Sequence, residues 1–185
     1  MDNERIERAV REILLAIGED PEREGLKGTP GRVARMYADV FAGLEIDPKS
    51  QMTVFTTEAH EEMVILRDIP FYSMCEHHLL PFYGKAHICY IPNRERLAGL
   101  SKLARVLEAF AKRPQLQERI TTQVADALMD LLKPMGVLVV VEAEHLCLTM
   151  RGAKKAGSLM TTSAVRGVFE SSQATRLEAL QLLGK

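Results

Sequence analysis

The run Val137-Leu138-Val139-Val140-Val141 constrains the fold more than any other stretch of this chain. An unbroken, largely β-branched segment of this kind calls for a well-buried strand. Around it the hydrophobic period sorts the remaining residues. Ile6, Val10, Ile13, Leu14 and Ile17 recur at helical spacing up to Gly18. Val33, Met36, Tyr37, Val40 and Phe41 do the same after Thr29-Pro30, a favoured helix start. These two helices predict an N-terminal arm over residues 1–50. From Met52 the period changes. Met52–Thr57, Met63–Tyr72 and Gly84–Ile91 read as strands. Ser101 is expected to cap a helix carrying Leu103, Val106, Leu107 and Phe110, which Pro114 breaks. A further helix repeats Leu116, Ile120, Val124, Leu128 and Leu131 and ends at Pro134 and Gly136. After the valine run, Leu159–Phe169 is the last expected strand, and a terminal helix starts at Ser171. The order strand, strand, helix, helix, strand, strand predicts an α+β domain over 51–185, an antiparallel sheet with two helices on one face.

Charge and composition narrow the function classes. With 24 Lys and Arg against 25 Asp and Glu, the net charge is −1. No global basic field argues for nucleic acid or an anionic membrane, so an anionic ligand must be met by a local cluster. The first residues are too polar for a signal peptide, and no apolar run is long enough to span a bilayer. The expectation is a cytoplasmic protein whose three cysteines are metal ligands or core residues rather than a disulfide framework. Cys89, in an apolar strand, is expected in the core.

Cys75-Glu76-His77-His78 sets Cys75 and His78 at C-x-x-H spacing, a reach that lets one loop grip a metal ion with a thiolate and an imidazole. Cys147, in His145-Leu146-Cys147, can supply a second thiolate once the fold closes. Three protein ligands leave the fourth position of a tetrahedral zinc ion open, as in catalytic sites. If the strand carrying His145 stays regular, Cys147, Thr149 and Arg151 share its face, and Leu146 and Leu148 point into the core. Lys102 and Arg105, three apart on a helix, suit either an anion or a solvated face. Glu118, in a helix's first turn, is favoured there by the helix dipole in any case. Gly152–Gly157 has the glycine gap of a phosphate loop but lacks the Lys-Ser/Thr that must follow, which rejects a nucleotide-triphosphatase reading.

Five blocks together resemble GTP cyclohydrolase I: Ser73–His87, Gly99–Arg105, Arg113–Arg119, His145–Gly152 and Thr161–Phe169. They follow one another in that family's order. The resemblance implies the tunnelling fold, a homodecamer of two stacked pentamers, and Zn²⁺ held by Cys75, His78 and Cys147. It implies GTP as substrate, attacked at C8 of the guanine ring by a water that zinc makes acidic. Formate is released, and the remainder rearranges to 7,8-dihydroneopterin triphosphate, the first step of folate and pterin biosynthesis. His145 is expected to protonate N7 and His77 to assist later proton transfers. Glu118, with Gln117 beside it, is expected to accept from the guanine N1–H and N2–H donors. Ser101, Lys102, Arg105, Arg151 and Arg32 are expected on the triphosphate. Neither a three-histidine pterin synthase nor a zinc-free nitrile reductase of the same fold matches Cys75, His78 and Cys147. The C-x-x-C that must follow an H-x-E in a nucleoside deaminase is missing, since the cysteines stand at 75, 89 and 147. A non-catalytic zinc module would need His77 or Glu76 as a fourth ligand.

Overall fold

The computed structural model describes residues 1–56, 59–94 and 96–185, in two compact units, Met1–Ala42 and Gly43–Lys185. In the first, α1 (Asn3–Ala16) packs on α2 (Thr29–Val40). The Asp2 side chain caps α1 by accepting from Arg5 N–H at 2.9 Å. Gly28 stands at the start of α2, so Thr29 lies within the helix and its side chain makes no cap. Val10, Leu14 and Ala34 are buried, whereas Ile13 and Ile17, expected on the same face, are 59% and 68% exposed.

In the second unit, β1 (Val54–Thr56) and β4 (Arg96–Ala98) pair in a small antiparallel ribbon. The expected end of the first strand, Thr57, lies outside the described residues. The main sheet has the spatial order β5–β2–β3–β6–β7. It is built from β2 (Val64–Cys75), β3 (Pro81–Ile91), β5 (Pro114–Gln115), β6 (Gly136–His145) and β7 (Met160–Gly167). All neighbours run antiparallel except β5, a two-residue parallel edge on the end of β2.

Two helices, α3 (Leu100–Ala111) and α4 (Gln117–Leu132), cover one face. This is the strand-strand-helix-helix-strand-strand α+β architecture expected of the tunnelling fold. Ile120, Val124, Leu128 and Leu132 of α4 are fully buried in one core with Leu103 and Leu107 of α3. Val137, Val139 and Val141 enter that core, while Leu138 and Val140 turn to the opposite face. There they meet Cys89, Phe169, Ala179 and Leu183, the last two from α7 (Gln173–Leu183), which follows a short turn of helix, α6 (Val168–Ser171). The valine run is therefore apolar throughout because both faces of β6 are covered, one of them by the terminal helix that the picture of helices on one face leaves out.

Three local expectations are corrected. Ser101 is inside α3, whose first residue is Leu100 and whose N-cap is Gly99, so its hydroxyl caps nothing. The last strand ends at Gly167, at φ 62°, and the chain turns into α6 instead of extending to Phe169. The terminal helix, expected from Ser171, starts at Gln173, and Ser172 caps it by accepting from Thr175 N–H.

Gly84 shows how tightly β3 lies on β6. A Cβ there would collide with the Glu142 backbone oxygen and approach Ala143 Cα to 2.7 Å. Gly84→Ala is expected to lower stability by about 1–3 kcal/mol through forced backbone shift, read as a drop in the denaturant midpoint at unchanged m-value.

Candidate functional site

The site is built at one end of the sheet. β2 ends on Cys75, and the chain returns as β3 from Pro81 after a tight loop. Cys75 N–H donates to Leu80 O at 2.8 Å, and Leu79 N–H donates to Cys75 O at 2.8 Å, with Leu79 at φ 51°. A third tie comes from the short strand β5, where Gln115 O accepts from Glu76 N–H at 3.1 Å. Opposite, β6 ends on His145, paired in register with Phe82. The backbone then enters a helical turn, α5 (Leu146–Thr149).

That turn corrects the strand-alternation argument. Cys147 is not on the His145 face of a continuing strand, and Leu148 is exposed instead of buried. The helical turn nonetheless carries the sulfur home. One donor atom from each of Cys75, His78 and Cys147 lies within 4.8 Å of the others. Cys75 is buried, Cys147 half-buried and His78 exposed, so the group opens toward solvent on the imidazole side. The rings of His77 and His78 stand at 90° with centroids 6.3 Å apart, so the neighbouring histidines face different ways.

Two tests bear on whether a cation fits there. Burial, reinforced by the neighbouring Cys75 sulfur, pushes the Cys147 thiol up. A bound cation reverses that balance, because thiolates are stable beside it. His78 Nε2 lies 2.6 Å from Arg151 Nη1. A guanidinium has no acceptor, so the imidazole nitrogen facing it presents a lone pair. Two sulfurs and one imidazole are a soft donor set of the zinc type. Glu76, one candidate for a fourth ligand, is already engaged. Arg119 on α4 grips it through both guanidinium ends, Nη2 donating to Oε1 at 3.1 Å and Nη1 to Oε2. The hydrogen bond from Arg119 holds the Glu76 carboxyl below its usual range.

His145, two residues before Cys147, is stacked on Phe82 with centroids 4.5 Å apart and planes at 3°. Burial lowers its pKa, and the nearby negative charge of Glu118 pulls the other way. Glu118 itself is exposed in the first turn of α4. Gln117 is fully buried, with its side chain directed to His145 and the sheet. The expected anion-binding residues divide. Arg151 touches His78, while Ser101, Lys102 and Arg105 line the first turns of α3. Arg32 is exposed on α2 in the other unit. Cys89, as expected, is a core thiol, with burial raising its pKa to about 12. Arg119 and Phe82 were not singled out from the sequence. An arginine directly after Glu118 was the available signal for the first; Phe82 reads as plain core until the register sets it opposite His145.

With this geometry in view, comparison with known proteins is decisive. A family model described as GTP cyclohydrolase I matches residues 6–184. The chain belongs to the GTP cyclohydrolase I family. Relatives named GTP cyclohydrolase 1 include those of Carboxydothermus hydrogenoformans, 67% identical over 100% of this chain and 96% of that one, and Pelotomaculum thermopropionicum, 64% identical over 98% and 97%. The relative of Clostridioides difficile is 63% identical over 99% and 97%. Among solved structures the chain is similar to an archaeosine synthase QueF-like protein in the apo form, at 16% identity and TM-score 0.42 over 57% of this chain and 93% of that one. Membership of the GTP cyclohydrolase I family makes the chain an enzyme. No helix among the described residues is long and apolar enough to cross a membrane.

The Glu76–Arg119 pair joins the loop that follows Cys75 to the helix that carries Glu118. Arg119→Met is expected to weaken metal affinity about 10–100-fold, the usual cost of losing a partner behind the ligands. Competition with a chromogenic chelator measures it. Cys147→Ser should remove stoichiometric metal outright, and Cys89→Ser should leave it in place, by elemental analysis of purified protein.

Proposed function

We propose that this enzyme hydrolyses GTP at C8 of the guanine ring, releases formate, and rearranges the remainder to 7,8-dihydroneopterin triphosphate, the first step of folate and pterin biosynthesis. The observation that carries this reading is the convergence of Cys75, His78 and Cys147 in a chain of this family, with Glu118 near enough to His145 to act on its charge. Cys75, His78 and Cys147 would hold Zn²⁺, which when bound supplies Lewis acidity and a water acidic enough to attack at neutral pH.

The chain's own residues do the rest. Glu118 accepts from N1–H and N2–H of guanine, a paired contact that adenine cannot offer. His145 gives a proton to N7, which makes C8 electrophilic. Burial keeps its pKa low, so the protonated ring is a ready donor. His77, turned away from His78, is free to move protons during ring opening and deformylation. Arg151, Lys102 and Arg105 meet the triphosphate, with Ser101 at the α3 start and Arg32 from the N-terminal arm. We further propose that the chain works in the cytoplasm, as a decamer of two pentameric rings, with residues 51–185 as the catalytic domain.

The alternative of a non-catalytic zinc module needs a closed coordination shell. It is disfavoured because Arg119 occupies Glu76 and His77 is turned at a right angle to His78.

Incubation of the metal-loaded protein with GTP should yield formate and, after oxidation, a fluorescent pterin in equal amounts. GTP bound without formate release would refute the activity. Glu118→Gln replaces one acceptor oxygen by a donor facing N–H groups. The expected loss in kcat/KM is about 100-fold or more, corresponding to roughly 3 kcal/mol for a charged hydrogen-bond pair, in steady-state assays with GTP.

A further inference from the structure

Gln117 is 0% exposed and sits one residue before the exposed Glu118. Every polar atom of its side chain is committed. Nε2 donates to Val141 O on β6 and Met160 O on β7, both at 2.9 Å, and lies 3.2 Å from Thr162 Oγ1. Carbonyl oxygens only accept, so this end of the amide is the NH₂ group. The other end, Oε1, is then an acceptor, and it lies 2.8 Å from His145 Nε2. An acceptor can face that ring nitrogen at this distance only if the nitrogen carries hydrogen.

The surroundings leave the amide no freedom to turn over. Thr121 Oγ1 donates to Gln117 O at 2.8 Å, so Thr162 must supply the hydrogen of the 2.6 Å contact between the two hydroxyls. Thr162 therefore has no second hydrogen with which to satisfy a reversed amide. Reversal would also set the amide oxygen against two carbonyl oxygens in a fully buried site, and leave NH₂ facing an N–H. The imidazole plane is fixed independently by its stack on Phe82.

We propose that Gln117 is a positioning residue that pins His145 in the tautomer protonated at Nε2, so that Nδ1 is the nitrogen exchanging a proton with substrate. Gln117 thus acts through His145 and does not bind guanine itself. The proposal rests on the reading of His145 as the acid above. In the proton transfer the imidazolium loses its Nδ1 hydrogen to N7 of the purine and is left neutral. It keeps the Nε2 hydrogen throughout, in its bond to Gln117. The same restraint holds the ring at one orientation for each turnover.

The test uses the full-length, zinc-loaded protein labelled with ¹⁵N in the histidine rings and sedimented for solid-state NMR. His145 signals are assigned by their absence from His145→Asn. At a pH where the ring is neutral, the assignment expects Nε2 to show the protonated, pyrrole-type signal and Nδ1 the pyridine-type one. The opposite pattern overturns the proposal without recourse to any variant. Gln117→Met then removes the acceptor at similar volume. It should mix the tautomers and lower kcat about tenfold or more, as expected for loss of the correct tautomer, with KM for GTP and zinc content unchanged. A rise in KM at unchanged kcat would overturn the proposal and make Gln117 a substrate contact. If the wild type releases no formate, the reaction reading fails, and the ring signals still decide whether Gln117 sets the tautomer.

Discussion

The pairing of β3 with β6 is the constraint on which the rest of the structure depends. It runs without a break from Ile91 opposite Gly136 to Phe82 opposite His145. Because side chains alternate along each strand, this one register decides three things at once. It sends Val137, Val139 and Val141 to the helices, Leu138 and Val140 to the other face, and stacks His145 on Phe82. A slip of one residue would exchange the two cores and take the imidazole off its aromatic support. The close approach at Gly84, where no Cβ fits, leaves little room for such a slip.

Much of this was legible in the chain. The valine run, the stripe Ile120, Val124, Leu128 and the C-x-x-H pair report local periodicity or spacing, and local signals survive folding. What escaped reading depends on distant partners. β5 has only two residues, Pro114 and Gln115, too few to show a period, and it becomes a strand because β2 offers it an edge. The ribbon strand Arg96–Ala98 is equally short. The turn at Leu146–Thr149 broke the alternation assumed for Cys147, although the expected meeting of Cys147 with Cys75 and His78 did not need it. Gln117 was read as a neighbour of Glu118, yet it lies on the same stripe as Ile120 and Val124, at i+3 and i+7. That spacing was the available sign of its burial.

Electrostatics and burial divide the three cysteines and two of the site histidines into distinct kinds. Cys89 is surrounded by hydrocarbon, and burial alone raises its pKa. Cys147 is shifted the same way, partly by a second sulfur, which is the situation a cation relieves. His145 is lowered by burial with Glu118 opposing, while His78 meets a guanidinium at the solvent edge. Similar side chains therefore take different chemical roles from their surroundings rather than from their position in a motif.

The two sulfurs of the candidate metal group belong to opposite halves of the second unit, Cys75 at the end of β2 and Cys147 just past β6, with α3 and α4 between them in the chain. A zinc finger gathers its donors within one short segment and can capture its ion as it emerges. This arrangement cannot. A polypeptide presents Cys75 and His78 without their third companion until β6 has joined β3 and the turn Leu146–Thr149 has formed. A cation held by all three donors would therefore act as a seal on a completed fold rather than as a nucleus for it.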